Sequence, residues 1–212
     1  MLCQLTIGRA VPEDIPGIAA VFSESFEESV LHHCGQMPKP QAMQDVFQLV
    51  YEAEPQAALV ARSSDGAVAG YCFAPTKLPG LWVKAVLDGH VFKWGWRWLT
   101  GQYGFGLQPL QVIVLNKMTF LRSAFTPAKS ANARILSIAV AKSCRGQGGG
   151  GALMEAAISY FRSRKVKRVR LEVRPDNAAA IKVYSRFGFY NGGYTADSQG
   201  QWLIMFKEME QG

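Results

Sequence analysis

One run of residues constrains this chain more than any other: Arg145-Gly146-Gln147-Gly148-Gly149-Gly150-Gly151-Ala152-Leu153, between an apolar stretch at Ile135–Val140 and a helix-patterned stretch at Gly148–Arg164. Glycines in that place let backbone N–H groups approach a ligand with no Cβ in the way. The helix behind them adds unsatisfied first-turn N–H groups and the positive end of its dipole, which together make a cradle for a polyphosphate. Arg145 adds a charged donor. Two better-known phosphate loops fit less well. A Walker A loop needs Lys-Ser/Thr after its last glycine, where this chain has Ala152-Leu153. The dinucleotide fingerprint is met in letter by Gly146, Gly148 and Gly151, with Glu172 about twenty residues on. Only about sixty residues follow Gly151, however, too few to complete a six-stranded dinucleotide sheet.

The rest of the chain alternates short strands and helices. Gln4–Arg9 reads as a strand, and Pro12–Glu27 as a helix opened by Pro-Glu-Asp. A second helix is expected over Pro40–Glu54. Two apolar runs, Ala57–Ala61 and Ala67–Phe73, flank Ser63-Ser64-Asp65-Gly66, whose Asp-Gly pair supplies the positive φ angles of a tight hairpin. Beyond the glycine loop come a strand at Arg168–Val173, a helix at Asn177–Phe187 closed by Gly188, and a hairpin of Tyr190–Thr195 with Trp202–Lys207.

With this order in place, the residues resemble a known family. Ile138-Ala139-Val140, then Arg145-Gly-Gln-Gly-x-Gly, then Leu171-Glu172-Val173-Arg174, then Asn177-Ala-Ala-Ala-Ile181, then Tyr184-x-x-x-Gly188-Phe189 resemble the GNAT acetyltransferases, and among them the bacterial ribosomal-protein alanine N-acetyltransferases. The resemblance implies one α/β domain over residues 1–212, with a mixed, mostly antiparallel, splayed central sheet flanked by helices. It implies an acetyl-CoA-dependent N-acetyltransferase that moves an acetyl group to a primary amine, on a small molecule or a protein N-terminus, with no metal. The alternative is a catalytically inactive, CoA-binding regulatory domain.

Site roles follow from the same resemblance. Ile138, Ala139 and Val140 would bind the pantetheine arm through backbone hydrogen bonds. Arg145, Gly146, Gln147, Gly148, Gly149, Gly150 and Gly151 would hold the pyrophosphate. Asn177 would touch the arm, and Tyr184 would act as general acid on the thioester sulfur. Spacing agrees, since seven residues of helix put Asn177 and Tyr184 on one face ~10 Å apart. The chemistry agrees too, because a phenol of pKa ~10 passes a proton to a thiolate of pKa ~8.5 at little cost. As a plainer reading, Tyr184 is a half-buried core tyrosine. Glu172 matches the position of the proposed base, but it shares a strand face with Arg170 and Arg174, which would weaken it as a proton acceptor. It acts through water, orients the substrate ammonium or serves only as an ion pair. Many relatives carry a glutamate just before the Ile-Ala-Val strand, where this chain has Arg134.

Lys77–Ser130 lies outside the resemblance. It holds Trp82, Trp94, Trp96 and Trp98 among Lys84, Lys93 and Arg97, and reads as an insertion of one or two amphipathic helices with Trp82, Val86, Val91, Trp94 and Trp98 near one face. It walls an acceptor pocket, packs as a homodimer face, lies on an acidic membrane or adds core. The formal charge of +7 suits an anionic partner. The basic run Arg162–Arg170 lacks the interleaved aromatics of a nucleic-acid surface, so no nucleic-acid partner is expected. Cys3, Cys34, Cys72 and Cys144 have no paired spacing and read as reduced thiols. Neither the adjacent His32, His33 and Cys34 nor any other group suggests a metal site. The start of the chain has no secretory pattern, and no apolar run approaches the ~20 residues of a membrane span. A cytoplasmic protein without a membrane partner is expected.

Overall fold

The computed structural model describes residues 4–77, 87, 89–103, 131–197 and 200–210. Among them, eight strands form two four-stranded sheets. The first holds β1 (Thr6–Arg9), β2 (Ala58–Arg62), β3 (Val68–Phe73) and β5 (Ser137–Val140) in that order, all antiparallel. The second runs β4 (Ala133–Arg134), β6 (Arg168–Val173), β8 (Gly200–Glu208), β7 (Tyr190–Asp197), with β4 and β6 parallel and the other pairs antiparallel. Six α-helices accompany them: α1 (Ile15–Ser25), α2 (Glu27–Cys34), α3 (Pro40–Ala53), α4 (His90–Leu99), α5 (Gly149–Ser163) and α6 (Ala178–Arg186).

Side chains alternate across β2 and β3 as a sheet buried on both faces requires. Leu59, Ala61 and Cys72 join Leu153, Met154 and Phe161 of α5 in one core, which continues under the second sheet through Val169, Leu171 and Met205. Val60, Tyr71 and Phe73 point the other way, onto Ile18 of α1 and Phe47 of α3. There the Phe47 ring stacks on Phe73 at 5.5 Å and meets Tyr71 edge-on at 5.6 Å. The acetyltransferase-like architecture expected from the sequence, mostly antiparallel strands flanked by helices, is the one observed.

Two expected elements differ. The helix over Pro12–Glu27 starts with a 3-10 turn at Pro12–Asp14 and breaks at Phe26, whose backbone (φ −123°, ψ 25°) leaves the helical region while its ring packs on Phe22 at 4.9 Å. Helix α2 then runs on separately, although its sequence shows no broad apolar stripe. The strand expected over Ile135–Val140 is shorter, β5 at Ser137–Val140, and a separate two-residue strand, β4 at Ala133–Arg134, precedes it in the other sheet. Within Lys77–Ser130, α4 is described. Trp82, Val86 and residues 104–130 lie outside the described residues.

Helix α4 docks on α3 through charge. Buried Asp45 accepts two 2.5 Å hydrogen bonds from Arg97 Nη1, one of 2.6 Å from the Tyr103 hydroxyl and one of 3.1 Å from Gln41. His90 Nε2 lies 2.9 Å from Glu52. Burial alone would raise the Asp45 pKa, but the bonds from Tyr103 and Arg97 outweigh it and hold the carboxyl below its usual value. A group with a depressed folded pKa stabilises above its unfolded value, and that gain is lost as pH falls through the folded one. Asp45→Asn should therefore cost about 2 kcal/mol at neutral pH, and the gap from the parent should shrink below about pH 4. Denaturant melts at both pH values measure this. An equal gap at both would show that the charge does not hold α4.

Candidate functional site

The two sheets part where the backbone changes partners. Ile135 N–H donates to the Arg170 carbonyl in β6 at 2.9 Å, and Leu136 N–H donates to the Phe73 carbonyl in β3 at 2.9 Å. Past this point β5 is the outer strand of its sheet, and among the described residues no strand pairs with its free side. Ala141 N–H donates to the Ala69 carbonyl at 2.8 Å. By antiparallel alternation, Ala139 and Ser137 turn their backbone groups toward β3, while Ile138 and Val140 turn theirs into the gap. Of the three strand residues expected to bind an extended arm, two thus offer backbone groups there. Ala139 instead packs its side chain into the core beside α1.

The glycine loop closes one end of that gap. Gly146 (φ 75°) and Gly148 (φ 84°) hold left-handed conformations that other residues rarely adopt, and a Cβ at either would meet nothing within 4 Å. Gly148 is the N-cap of α5, with no side chain bonded to the cap. The first-turn amides of α5 are therefore available to an anion, at the positive end of its dipole. Gly150 has open space to 4.0 Å, where Val140 Cγ2 lies, so the loop and the end of β5 adjoin. Gly149 is different. A Cβ there would sit 2.6 Å from Leu5 Cδ1, so the tip of that side chain would have to shift to admit one. Arg145 braces the corner, its Nε donating to the outward Val140 carbonyl at 3.0 Å and its Nη2 to Ser25 Oγ at 3.1 Å. Lys142 N–H donates to Glu24 at 3.0 Å, tying α1 to the same corner. Ser25 and Glu24 carry no signal in the sequence, because contacts 120 and 118 residues apart leave no local pattern.

Asn177 is the N-cap of α6, its Oδ1 accepting from Ala180 N–H at 3.1 Å. That bond leaves its amide NH₂ free of a cap role. Two turns on, Tyr184 packs against the same core cluster as Ile138, Val140 and Cys72, with its ring 6.3 Å from Phe189. Burial, with a smaller contribution from Cys72, pushes its hydroxyl pKa up to about 12. Cys72 is itself fully buried, and its thiol is likewise pushed up to about 12 by burial. Sequence inspection gave Cys72 no place near the site. Its position follows only from the β3–β5 register, which sets it opposite Ile138.

Glu172 lies on the other side of β6, because Val169, Leu171 and Val173 face the cluster on which Tyr184 packs. Glu172 and Tyr184 therefore flank the strand rather than share a pocket. Glu172 Oε1 accepts from Arg170 Nη2 at 2.5 Å and from Arg134 Nη1 at 3.4 Å. The expected pair of flanking arginines is corrected in one member. Arg174 turns away, its guanidinium 5.0 Å over the Trp202 ring, and Arg134 takes its place because parallel pairing sets it beside Arg170. The cysteine reading is corrected too. Cys144, just before the loop, is disulfide-bonded, while Cys72 is free. Spacing along the chain could not show this, since it does not report separation in space. Among the described residues no cluster of His, Cys, Asp and Glu is placed to hold a metal ion, and no helix is long and apolar enough to cross a membrane.

Comparison with known proteins gives the family and the fold. The family model described as the acetyltransferase (GNAT) family matches residues 23–189. The [ribosomal protein bS18]-alanine N-acetyltransferase of Salmonella typhimurium is 32% identical over 114 residues, which cover 54% of this chain and 75% of that protein. Among solved structures, SsHAT superposes with a TM-score of 0.70 at 18% identity, over 97% of this chain and 98% of that one. The ribosomal-protein-S18-alanine N-acetyltransferase of Escherichia coli superposes with a TM-score of 0.51 at 18% identity, over 99% of this chain and 96% of that one.

The glycines separate into two classes that substitution can distinguish. Gly150→Asp should leave stability within about 1 kcal/mol of the parent and abolish coenzyme A binding, since a carboxylate would oppose the pyrophosphate. Gly148→Ala should instead lower stability by roughly 1 kcal/mol, because its left-handed backbone (φ 84°) strains any residue with a Cβ. Calorimetric titration with coenzyme A and denaturant melts read the two effects. Unchanged affinity in Gly150→Asp would remove the loop from the site.

Proposed function

The chain belongs to the acetyltransferase (GNAT) family, and on that premise we propose that this acetyl-transferring enzyme carries acetyl from acetyl-CoA to a primary amine by direct attack on the thioester. The observation that carries the proposal is the free outer side of β5 running into an uncapped, glycine-lined helix start. These parts fit coenzyme A. The outward backbone groups of Ile138 and the N–H of Val140 suit the amides of the pantetheine arm, as an added strand would. Gly146 to Gly151 with Arg145 suit the pyrophosphate. The free amide of Asn177 suits a contact along the arm.

Acetyl-CoA supplies an activated acyl group, and the chain's own residues manage two protons around it. The amine must lose a proton as it attacks, and the thiolate must gain one as it leaves. Tyr184 is the acid in this reading. With its pKa near 12 it stays protonated throughout the neutral range, and because full transfer to a thiolate of pKa ~8.5 is then uphill, its first role is to donate a hydrogen bond to the departing sulfur. Glu172, across β6, receives the amine. Its Oε1 is held by Arg170 and Arg134, which leaves Oε2 to accept from the incoming ammonium or from a water that takes its proton.

The acceptor is a small-molecule amine or a peptide N-terminus, the latter supported by the named activity of the Salmonella relative. The residues act as one domain over 1–212, in the cytoplasm, where acyl-CoA donors are made. The test is a panel of amines and peptide N-termini incubated with acetyl-CoA, reading released thiol. Amine-dependent release is expected, and its absence across the panel would favour a CoA-binding regulator. With the best acceptor, Tyr184→Phe should lower kcat by ~10²-fold and leave acetyl-CoA affinity nearly unchanged. Near-normal turnover when chemistry is rate-limiting would reduce Tyr184 to a packing residue.

A further inference from the structure

Helix α4 is built inside out. Its cations and its histidine turn inward: Arg97 pairs with buried Asp45, His90 with Glu52, and Lys93 Nζ lies 4.0 Å from Asp45. Three of its large apolar side chains turn outward. Phe92, Trp96 and Leu99 are 78%, 68% and 75% exposed. They sit at i, i+4 and i+7, so they form one ridge along the helix. Trp94 and Trp98 are half-buried between the two faces. A helix that packed only for its own fold would present the opposite arrangement, since exposed ridges of this kind mark contact with an apolar partner.

Charge identifies the partner. Lys77–Ser130 contains seven lysines and arginines against one acid, Asp88, so this quarter of the chain carries six of the formal charges of +7. Beside the ridge, Lys93 is half-exposed, and Lys39 reaches the Gly101 carbonyl at 3.3 Å, just past the C-terminal end of α4. A second copy of the chain would bring like charge against like charge. Nucleic acid would match the charge but offers little to Leu99 and Phe92. An anionic bilayer matches both features, because tryptophan and phenylalanine settle at the headgroup boundary while lysine and arginine meet acidic lipid.

We propose that the outer face of α4, through Phe92, Trp96 and Leu99, docks the protein on the surface of an anionic membrane. The docking is peripheral, by side-chain insertion rather than by a span. It places the enzyme at the bilayer without using any residue of the acetyl-transfer site, so it stands or falls apart from the proposed chemistry.

Co-sedimentation with lipid vesicles tests it. The protein should pellet with vesicles of equal parts phosphatidylcholine and phosphatidylglycerol, and pellet poorly with phosphatidylcholine alone. The double substitution Phe92→Ser, Trp96→Ser should cut binding to the mixed vesicles by roughly tenfold or more. Both positions face solvent, so the circular-dichroism spectrum and the coenzyme A affinity should match the parent. Tryptophan emission should shift to shorter wavelength with the mixed vesicles in the parent and less so in the variant. A parent that stays in the supernatant would overturn the proposal, as would a variant that pellets equally well. A parent dimer that becomes monomeric in the variant, with no vesicle binding by either, would assign the ridge to a second copy instead.

Discussion

The structure turns on one exchange of hydrogen-bond partners. Ile135 is bonded to β6 and the next residue, Leu136, to β3. A strand that continued along either sheet would have both edges filled. By crossing from one to the other it leaves β5 with a free side, toward which Ile138 turns its backbone groups and Val140 its N–H, while Arg145 Nε takes the Val140 carbonyl. An extended ligand with its own amides fits there. The core makes the crossing possible, since α5 lies under both sheets and one apolar cluster runs from Leu59 through Leu153 to Leu171 and Met205. The sheets can part on one side because they are held together on the other.

The same crossing arranges the charges. It brings β4 parallel to β6, which sets Arg134 beside Arg170 and gives Glu172 two guanidinium neighbours. Burial and the nearby Arg170 lower the Arg134 pKa, with Glu172 acting in the opposite sense. A carboxylate gripped on one oxygen is fixed in direction, which suits a group that must orient an incoming ammonium. On the other side of β6 the surroundings of Tyr184 are apolar, and burial keeps its proton in place.

Much of this was legible in the sequence, and the reasons are local. The glycine loop, the cap at Asn177 and the two-turn spacing to Tyr184 are written in consecutive residues, so pattern alone locates them. Alternation along Val169, Leu171 and Val173 likewise fixed the face of Glu172. What escaped depends on distance in space. The change of partner between Ile135 and Leu136 was hidden because an apolar run does not say which neighbour each residue bonds. The exchange of Arg174 for Arg134, the place of Cys72 and the disulfide of Cys144 depend on register or folding, which spacing does not record. On α4 the stripe placed Trp94 and Trp98 on one face, and both are half-buried, but nothing in the spacing showed that Asp45 of another helix would hold Arg97 or that Phe92, Trp96 and Leu99 would be left exposed.

The claim at the centre of this account is that the free side of β5 receives the pantetheine arm. Amide hydrogen exchange, with and without coenzyme A, tests it directly. The amides of Ile138 and Val140 should exchange readily in the free protein and become protected on binding, together with those at the start of α5. The amide of Ala139, turned toward β3, should be protected in both states. Protection confined to residues away from β5, with Ile138 and Val140 unchanged at saturating coenzyme A, would contradict it.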